Sequence, residues 1–455
     1  MADLLDVTDI EQDAPANTSA AKRRLAILQS PLLWDSLSYF GSKVVPGFMG
    51  LISVPIFIRI IGLDEYGHFA VIVPLLMAFA SASSGWLGQG ILRFHPLATD
   101  ARGRWIIFDR AVTKSTIASV AVTCVVLAAV LAGLHYALRT ALISLAFSLS
   151  LLVYAVTLAR FQAQLQPVSV LQREIVRSIG GFVFPVLIVL ITGRKQFALI
   201  LLGQAIAYTI ACLPSLKMRT HDDEIALDAA ERVQPDSSST QTVRQLWHFG
   251  WGVGLWLLLL QMLPVIDRWA IRRFSGFGSA GTYASLYEVA IRSFSFLVFP
   301  LTQAAHPRIM QSWNERRFAA SYRIIRYSIL SQFVIFVAVL GGVSVLSHRI
   351  TRLILGFNDP IAARMLPVLF VGGFLWQFAL LLHKPLEIAQ RTGAMLAAMA
   401  VVVVLNVIAC FLFIPRFGYP AASYILVFSA CAYILFTLCL TRFRAFRNLS
   451  PSETC

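Results

Sequence analysis

Apolar residues run through this chain in long unbroken blocks, not at the alternating spacing of a half-buried strand or the one-face spacing of a soluble helix. Twelve blocks reach the length needed to cross a bilayer, about 20 residues with flanks. They fall at 34–60, 67–92, 108–134, 139–160, 170–193, 196–216, 245–270, 279–304, 324–347, 363–384, 391–414 and 418–441. In lipid a helix satisfies its own backbone hydrogen bonds, so each block predicts one transmembrane helix. The expected fold is an all-α integral membrane protein of about twelve transmembrane helices.

The longest polar interruption, residues 217–244, divides the spans six and six. It predicts a cytosolic linker between an N-lobe (31–216) and a C-lobe (245–442). Polar residues 1–30 read as a disordered cytosolic tail with no cleavable signal peptide, and 443–455 as a second cytosolic tail. "HDDE" in the linker reads as solvated charge, not as a metal motif.

Composition agrees: 58% of residues are hydrophobic, 13% are charged, and the mean hydropathy is +0.73. Soluble domains carry about 25% charged residues. Cys124, Cys212, Cys410, Cys431 and Cys439 lie in predicted spans and Cys455 ends the chain, with no metal-ligand spacing among them. They read as small packing residues. No cofactor motif is present.

With the N-terminus in the cytosol, 25 Lys/Arg fall on inner segments, 11 on outer ones, and Lys43 and Arg292 within spans. That bias predicts both termini in the cytosol. The net charge of +15 then faces the anionic leaflet and needs no nucleic acid.

The halves repeat. "YFGSKVVPGFMGLISVPIFIR" (39–59) aligns with "HFGWGVGLWLLLLQMLPVIDR" (248–268) at an offset of 209. Phe40 falls on Phe249, Gly41 on Gly250, Pro55 on Pro264 and Arg59 on Arg268. After a five-residue insertion, Gly67 falls on Gly281. Six spans per half is even, so the repeat is parallel, about an axis along the membrane normal, with a site expected between the lobes.

Charges within spans are the candidate chemistry. Lys43 lies about nine residues into the first span, on a face with Asp35, Tyr39 and Gly47. In "YEVAIR", Glu288 and Arg292 stand at i, i+4. A charge at mid-membrane costs at least about 2.5–3.5 kcal/mol, so such residues face a bundle interior or a wet cavity. Arg93, Arg160 and Lys384 sit near inner span ends and serve either as cavity cations or as membrane anchors. Arg59, Asp267 and Arg268 close the first span of each half on the outer side. They read either as an outer gate, with Arg59 opposite Arg268, or as side chains snorkelling to headgroups. Cations outnumber acids in these spans, which suits an anionic, bulky, polar cargo.

"PIFIRIIGLDEYGHFAVI", "IDRWAIRRFSGFGSAGTYASLYEVA" and "GYPAASYILVFSACAYI" resemble, in this order, signatures of polysaccharide-transporter flippases. These are the Wzx-like branch of the multidrug/oligosaccharidyl-lipid/polysaccharide (MOP) exporters. Pro420 stands where that family more often has Gly. The resemblance covers about residues 31–442. It implies a V-shaped pair of pseudo-symmetric six-helix lobes, related to the multidrug MATE transporters. It further implies translocation of undecaprenyl-pyrophosphate-linked sugar repeat units across the bacterial inner membrane by alternating access. A cationic cavity would be lined by Lys43 and Arg292, with Asp267 and Arg268 as the family's "DR" pair. Exopolysaccharide, capsule or O-antigen assembly is the expected setting. A polysaccharide polymerase, a chain-length regulator, membrane lipids and H+ or Na+ are the candidate partners. Two rivals stand beside this expectation. A cation-coupled drug exporter needs a cavity richer in acids than Asp35, Asp267 and Glu288 provide. A membrane polymerase needs a large outer loop, whereas the longest here is roughly 347–363.

Overall fold

The computed structural model describes residues 31–98, 102–216, 237–298, 305, 309, 312, 315–388 and 391–441. The helices are α1 Pro31–Ile61, α2 Leu63–Ala98, α3 Arg102–Gly133, α4 Leu138–Ala163, α5 Pro167–Thr192, α6 Phe197–Leu216, α7 Ser237–Leu297, α8 Phe318–Leu355, α9 Pro360–Leu382, α10 Lys384–Ile388, α11 Thr392–Phe417 and α12 Ala421–Thr441. No strand occurs among the described residues. Residues 1–30, 217–236 and 442–455, with both expected tails and most of the linker, lie outside the described residues.

Among the described residues, ten helices are long and apolar enough to cross a membrane, and Phe197–Leu213 is a shorter apolar helix. The twelfth crossing is hidden inside α7. Its apolar stretch, Gln241–Phe294, holds 54 residues, about 81 Å at 1.5 Å per residue, far beyond a 30 Å hydrocarbon core. At Gly276 the backbone takes φ 84°, ψ 175°, a conformation open to glycine because it lacks a Cβ. Contacts on either side prove the reversal: Asp267 meets Tyr283 and Arg268 meets Glu288, pairs centred close to Gly276. The spans expected at 245–270 and 279–304 are therefore two arms, α7a and α7b, of one tight hairpin. The end of the second, 299–304, lies outside the described residues.

The same end of the bundle carries five more short turns. A residue with positive φ stands in each: Gly62, His135, Gly193, Gly356 and Gly418. We call it the turn end. It is the end that the charge count expects to be outer.

The two six-helix halves meet along α2 and α7. At the turn end the approach is backbone to backbone. A Cβ at Gly281 would stand 2.6 Å from the Leu63 carbonyl oxygen and 3.1 Å from the Gly67 nitrogen; one at Gly67 would fall on the Phe277 carbonyl. Repeat-equivalent positions touch each other where they straddle the symmetry axis, so the Gly67–Gly281 contact marks the pseudo-two-fold axis. The His68 ring stacks on Phe277 beside it, centroids 3.5 Å apart. Toward the opposite end Trp86 packs into the groove at Gly250 and Gly254 and meets Trp247 edge-on at 5.1 Å. Within the second half, Phe294 is enclosed by Phe336, Phe370 and Phe374.

Candidate functional site

The two adjacent residues Asp267 and Arg268 point to opposite sides of α7a, and each organises a separate network. Asp267 turns into the second half and is fully buried. Its carboxylate accepts from the Tyr283 hydroxyl (3.1 Å), from Asn406 Nδ2 on α11 (3.0 Å) and from the Cys410 thiol (3.3 Å). Asn406 Nδ2 also donates to Ser429 Oγ on α12. A buried charge is tolerable only with such partners, so these side chains fix α7a against α11 and α7b.

Arg268 turns to the seam and is 2% exposed. Nη1 donates to the Ala70 carbonyl of α2 (3.0 Å), in the other half, and Nη2 to Glu288 Oε1 (2.7 Å). Its guanidinium also lies 5.1 Å from the Tyr287 ring centroid. The second oxygen of Glu288 accepts from Arg292 Nε at 3.0 Å. One carboxylate thus serves two arginines. Arg292 in turn lies over α1, because a Cβ at Gly50 would fall on its guanidinium. The chain Ala70–Arg268–Glu288–Arg292–Gly50 links α2, both arms of α7 and α1. Glu288 is 26% and Arg292 39% exposed, so this end of the network is partly open, whereas Arg268 is enclosed.

The helices place these groups by spacing alone. Glu288 and Arg292 are one turn apart on α7b. Ala70 and Arg268 each lie eight residues from their glycine turn, at Gly62 and Gly276, and so at the same depth, about 12 Å.

Over residues 32–313, well over half its length, the sequence matches the family described as "Polysaccharide biosynthesis protein". The chain belongs to that family. Its fold is that of the MOP transporters. An inward-facing multidrug resistance MATE family transporter of the MOP superfamily superposes with a TM-score of 0.69 at 13% identity, over 91% of this chain and 99% of that one. The lipid II flippase MurJ, in its inward closed conformation, superposes at 0.63 and 11% identity, over 90% and 87%. A Vibrio cholerae MATE transporter, the VcmN D35N mutant, superposes at 0.57 and 16% identity, over 91% and 100%. No curated protein matches the sequence.

The structure separates the charges that the sequence grouped. Asp267 and Arg268 do not form a pair, since among the described residues the Asp267 carboxylate bonds to Tyr283, Asn406 and Cys410, all in the second half. Arg59 does not meet Arg268: it is exposed, and Nη2 donates to the Leu353 carbonyl of α8 at 2.7 Å. Arg268 itself cannot snorkel to headgroups at 2% exposure. Lys43 is half-buried and lies 18 residues before Ile61, about 27 Å along α1. Lys43 lies twelve residues into α1, which runs Pro31–Ile61, on the half of that helix away from the turn end. Arg292 lies two helical turns further along, at Gly50. Arg160 is engaged within the first half, with Asp109 (3.2 Å) and Thr113 (3.1 Å). Arg93 is exposed, its guanidinium 4.8 Å from the Phe249 ring centroid. Lys384 opens α10 and is half-buried. The Asp35 side chain lies outside the described residues.

Several participants were not singled out in the sequence. Cys410 is a donor to Asp267, not mere packing. Asn406, a lone amide in the apolar run "AVVVVLNVIACFLF", carried a signal that went unused. Arg173 and Arg177, counted among inner charges, are held inside the first half. Arg177 pairs with the buried Glu174 (2.6 Å), and Arg173 stacks over Phe161 at 3.8 Å. The i, i+3 acid–base spacing of "EIVR" within an apolar helix would have found the Glu174–Arg177 pair.

Proposed function

We propose that this protein is a flippase for a polyprenyl-pyrophosphate-linked oligosaccharide repeat unit. It moves the unit across the bacterial inner membrane for exopolysaccharide, capsule or O-antigen assembly. The family and the fold it shares with MurJ support the class. The observation that carries the reading is the seam between the halves, where Arg268, Glu288 and Arg292 leave one cation in excess and Arg292 partly exposed. A drug cation would be repelled there, and a pyrophosphate attracted. Transport proceeds by alternating access: the halves rock about the seam, the charged headgroup and sugars cross between them, and the prenyl tail stays in lipid. No bond is made or broken, so the protein is not an enzyme. Lys43 contacts the anionic headgroup first, on the cytosolic side of α1. Arg292 receives it deeper, and Arg93, Arg160 and Lys384 add positive potential on the same side. Asp267 is the candidate for coupling to H+ or Na+, because it is the buried carboxylate that joins the moving arm of α7 to α11. Both termini are cytosolic.

The test is the lipid extract of a deletion strain that still makes the repeat unit. Polyprenyl-linked oligosaccharide accumulates on the cytosolic side of the membrane if the reading is right. A normal distribution of that lipid between the leaflets sinks it.

A further inference from the structure

The two arginines that the repeat superposes, Arg59 and Arg268, do the same thing to opposite halves. Each reaches across the seam and donates to a main-chain carbonyl of the other half: Arg268 to Ala70 of α2, Arg59 to Leu353 of α8. A helix normally uses its own carbonyls, each accepting from the N–H four residues on. Both targets are exceptions. Four residues after Ala70 stands Pro74, inside α2 and buried, which has no N–H to give. Leu353 lies in the last turn of α8, which ends at Leu355. Gly356 N–H caps the preceding carbonyl, Arg352, and the helix stops before residue 357. Carbonyls of a last turn have no partner within the helix and carry the negative end of its dipole.

We infer that Arg59 and Arg268 are reciprocal clasps that hold the halves shut at the turn end. Pro74 is the positioning residue that frees the carbonyl gripped by Arg268. The clasps sit on either side of the Gly67–Gly281 contact, so opening this end requires both to let go. They are unequal. Arg268 is enclosed and charge-assisted, and Arg59 is exposed to screening. The Gly67–Gly281 contact fixes how close the halves come; the clasps determine how long they stay. The inference concerns the protein without cargo and does not depend on what is carried.

Hydrogen–deuterium exchange on the purified full chain in lipid nanodiscs reads it directly. Arg268→Gln should speed exchange in residues 62–72 and 277–290 roughly tenfold or more, the loss of one charge-assisted bond. Arg59→Gln should speed it in 351–358 by about threefold, as for an exposed pair. Pro74→Ala separates a clasp from mere structure. Alanine restores the N–H that competes for the Ala70 carbonyl and should strengthen α2 as a helix, yet the clasp requires 277–290, in the other half, to exchange faster. If Arg268→Gln fails to insert, the other two variants decide. Unchanged or slower exchange at 277–290 in Pro74→Ala, with unchanged exchange at 351–358 in Arg59→Gln, overturns the inference. Normal lipid flipping in those same variants leaves it standing.

Discussion

Gly281→Ala is the smallest change that should open the turn end. Intrinsic propensity favours it, since alanine in a helix is worth about 1 kcal/mol over glycine. Packing opposes it. The added methyl would stand 2.6 Å from the Leu63 carbonyl oxygen and 3.1 Å from the Gly67 nitrogen, main-chain atoms with no rotamer to change. Ordinary contact begins near 3.4 Å, so α2 and α7b must part by most of an ångström or fail to close. Overpacking of this kind costs about 1–3 kcal/mol. Charged wholly to the closed arrangement, that shifts the balance between closed and open roughly 5- to 150-fold. The assay is labelling of a cysteine placed at Ser279, half-buried beside the seam, by a membrane-impermeant maleimide, with the unsubstituted chain as background. Gly341→Ala on α8 is the control, because a Cβ there meets nothing within 4 Å. Labelling should accelerate in Gly281→Ala and Gly67→Ala and stay constant in Gly341→Ala. Equal rates in all three would refute the claim that backbone contact at this point closes the seam.

Four further outcomes are expected. Arg292→Ala and Lys43→Ala should abolish export with the protein still in the membrane, and Arg292→Lys should keep part of it because charge survives without the planar fork; export at wild-type abundance would return either residue to a structural role. Glu288→Gln leaves Arg268 and Arg292 without their shared carboxylate and should lower thermal stability by up to about 3–5 kcal/mol, less in proportion to the 26% exposure of Glu288. Asp267→Asn, facing three donors, should cost about 1–3 kcal/mol of stability, measured in detergent melts, and should impair export beyond what lower abundance explains. Reporter fusions at residue 230 and at the C-terminus should read cytosolic and one near 355 external; an external signal at 230 would invert every leaflet assignment.

Most of the architecture was legible in sequence because lipid leaves a chain few options. Where no water can satisfy the backbone, an apolar block of about 20 residues is a helix, and counting blocks counts helices. The 209-residue offset was legible for a similar reason: a repeat about an axis places equivalent residues near that axis, and Gly67 and Gly281 do meet there. The turn inside α7 was harder to locate, since one glycine between two arms leaves almost no polar gap in the sequence.

The site was only half legible. Glu288 and Arg292 are one helical turn apart, so local geometry alone pairs them. Asp267 and Arg268 are neighbours in the chain, and adjacency misled: successive helical residues diverge by about 100°, which sent one carboxylate to Asn406 and Cys410 and one guanidinium to Ala70. Lys43 and Arg292 looked alike as charges in spans, but only the docked helices show that Arg292 lies over α1 at Gly50, two turns beyond Lys43. What the sequence by itself determined is which segments cross the membrane, that they come as two related sets, and that cations exceed acids within them. What only the tertiary structure decided is who faces whom across the seam. Hydrophobicity is a property of each segment, summed residue by residue, whereas a hydrogen bond from Arg268 to a carbonyl 198 residues away exists only once two helices have docked at one depth and one rotation.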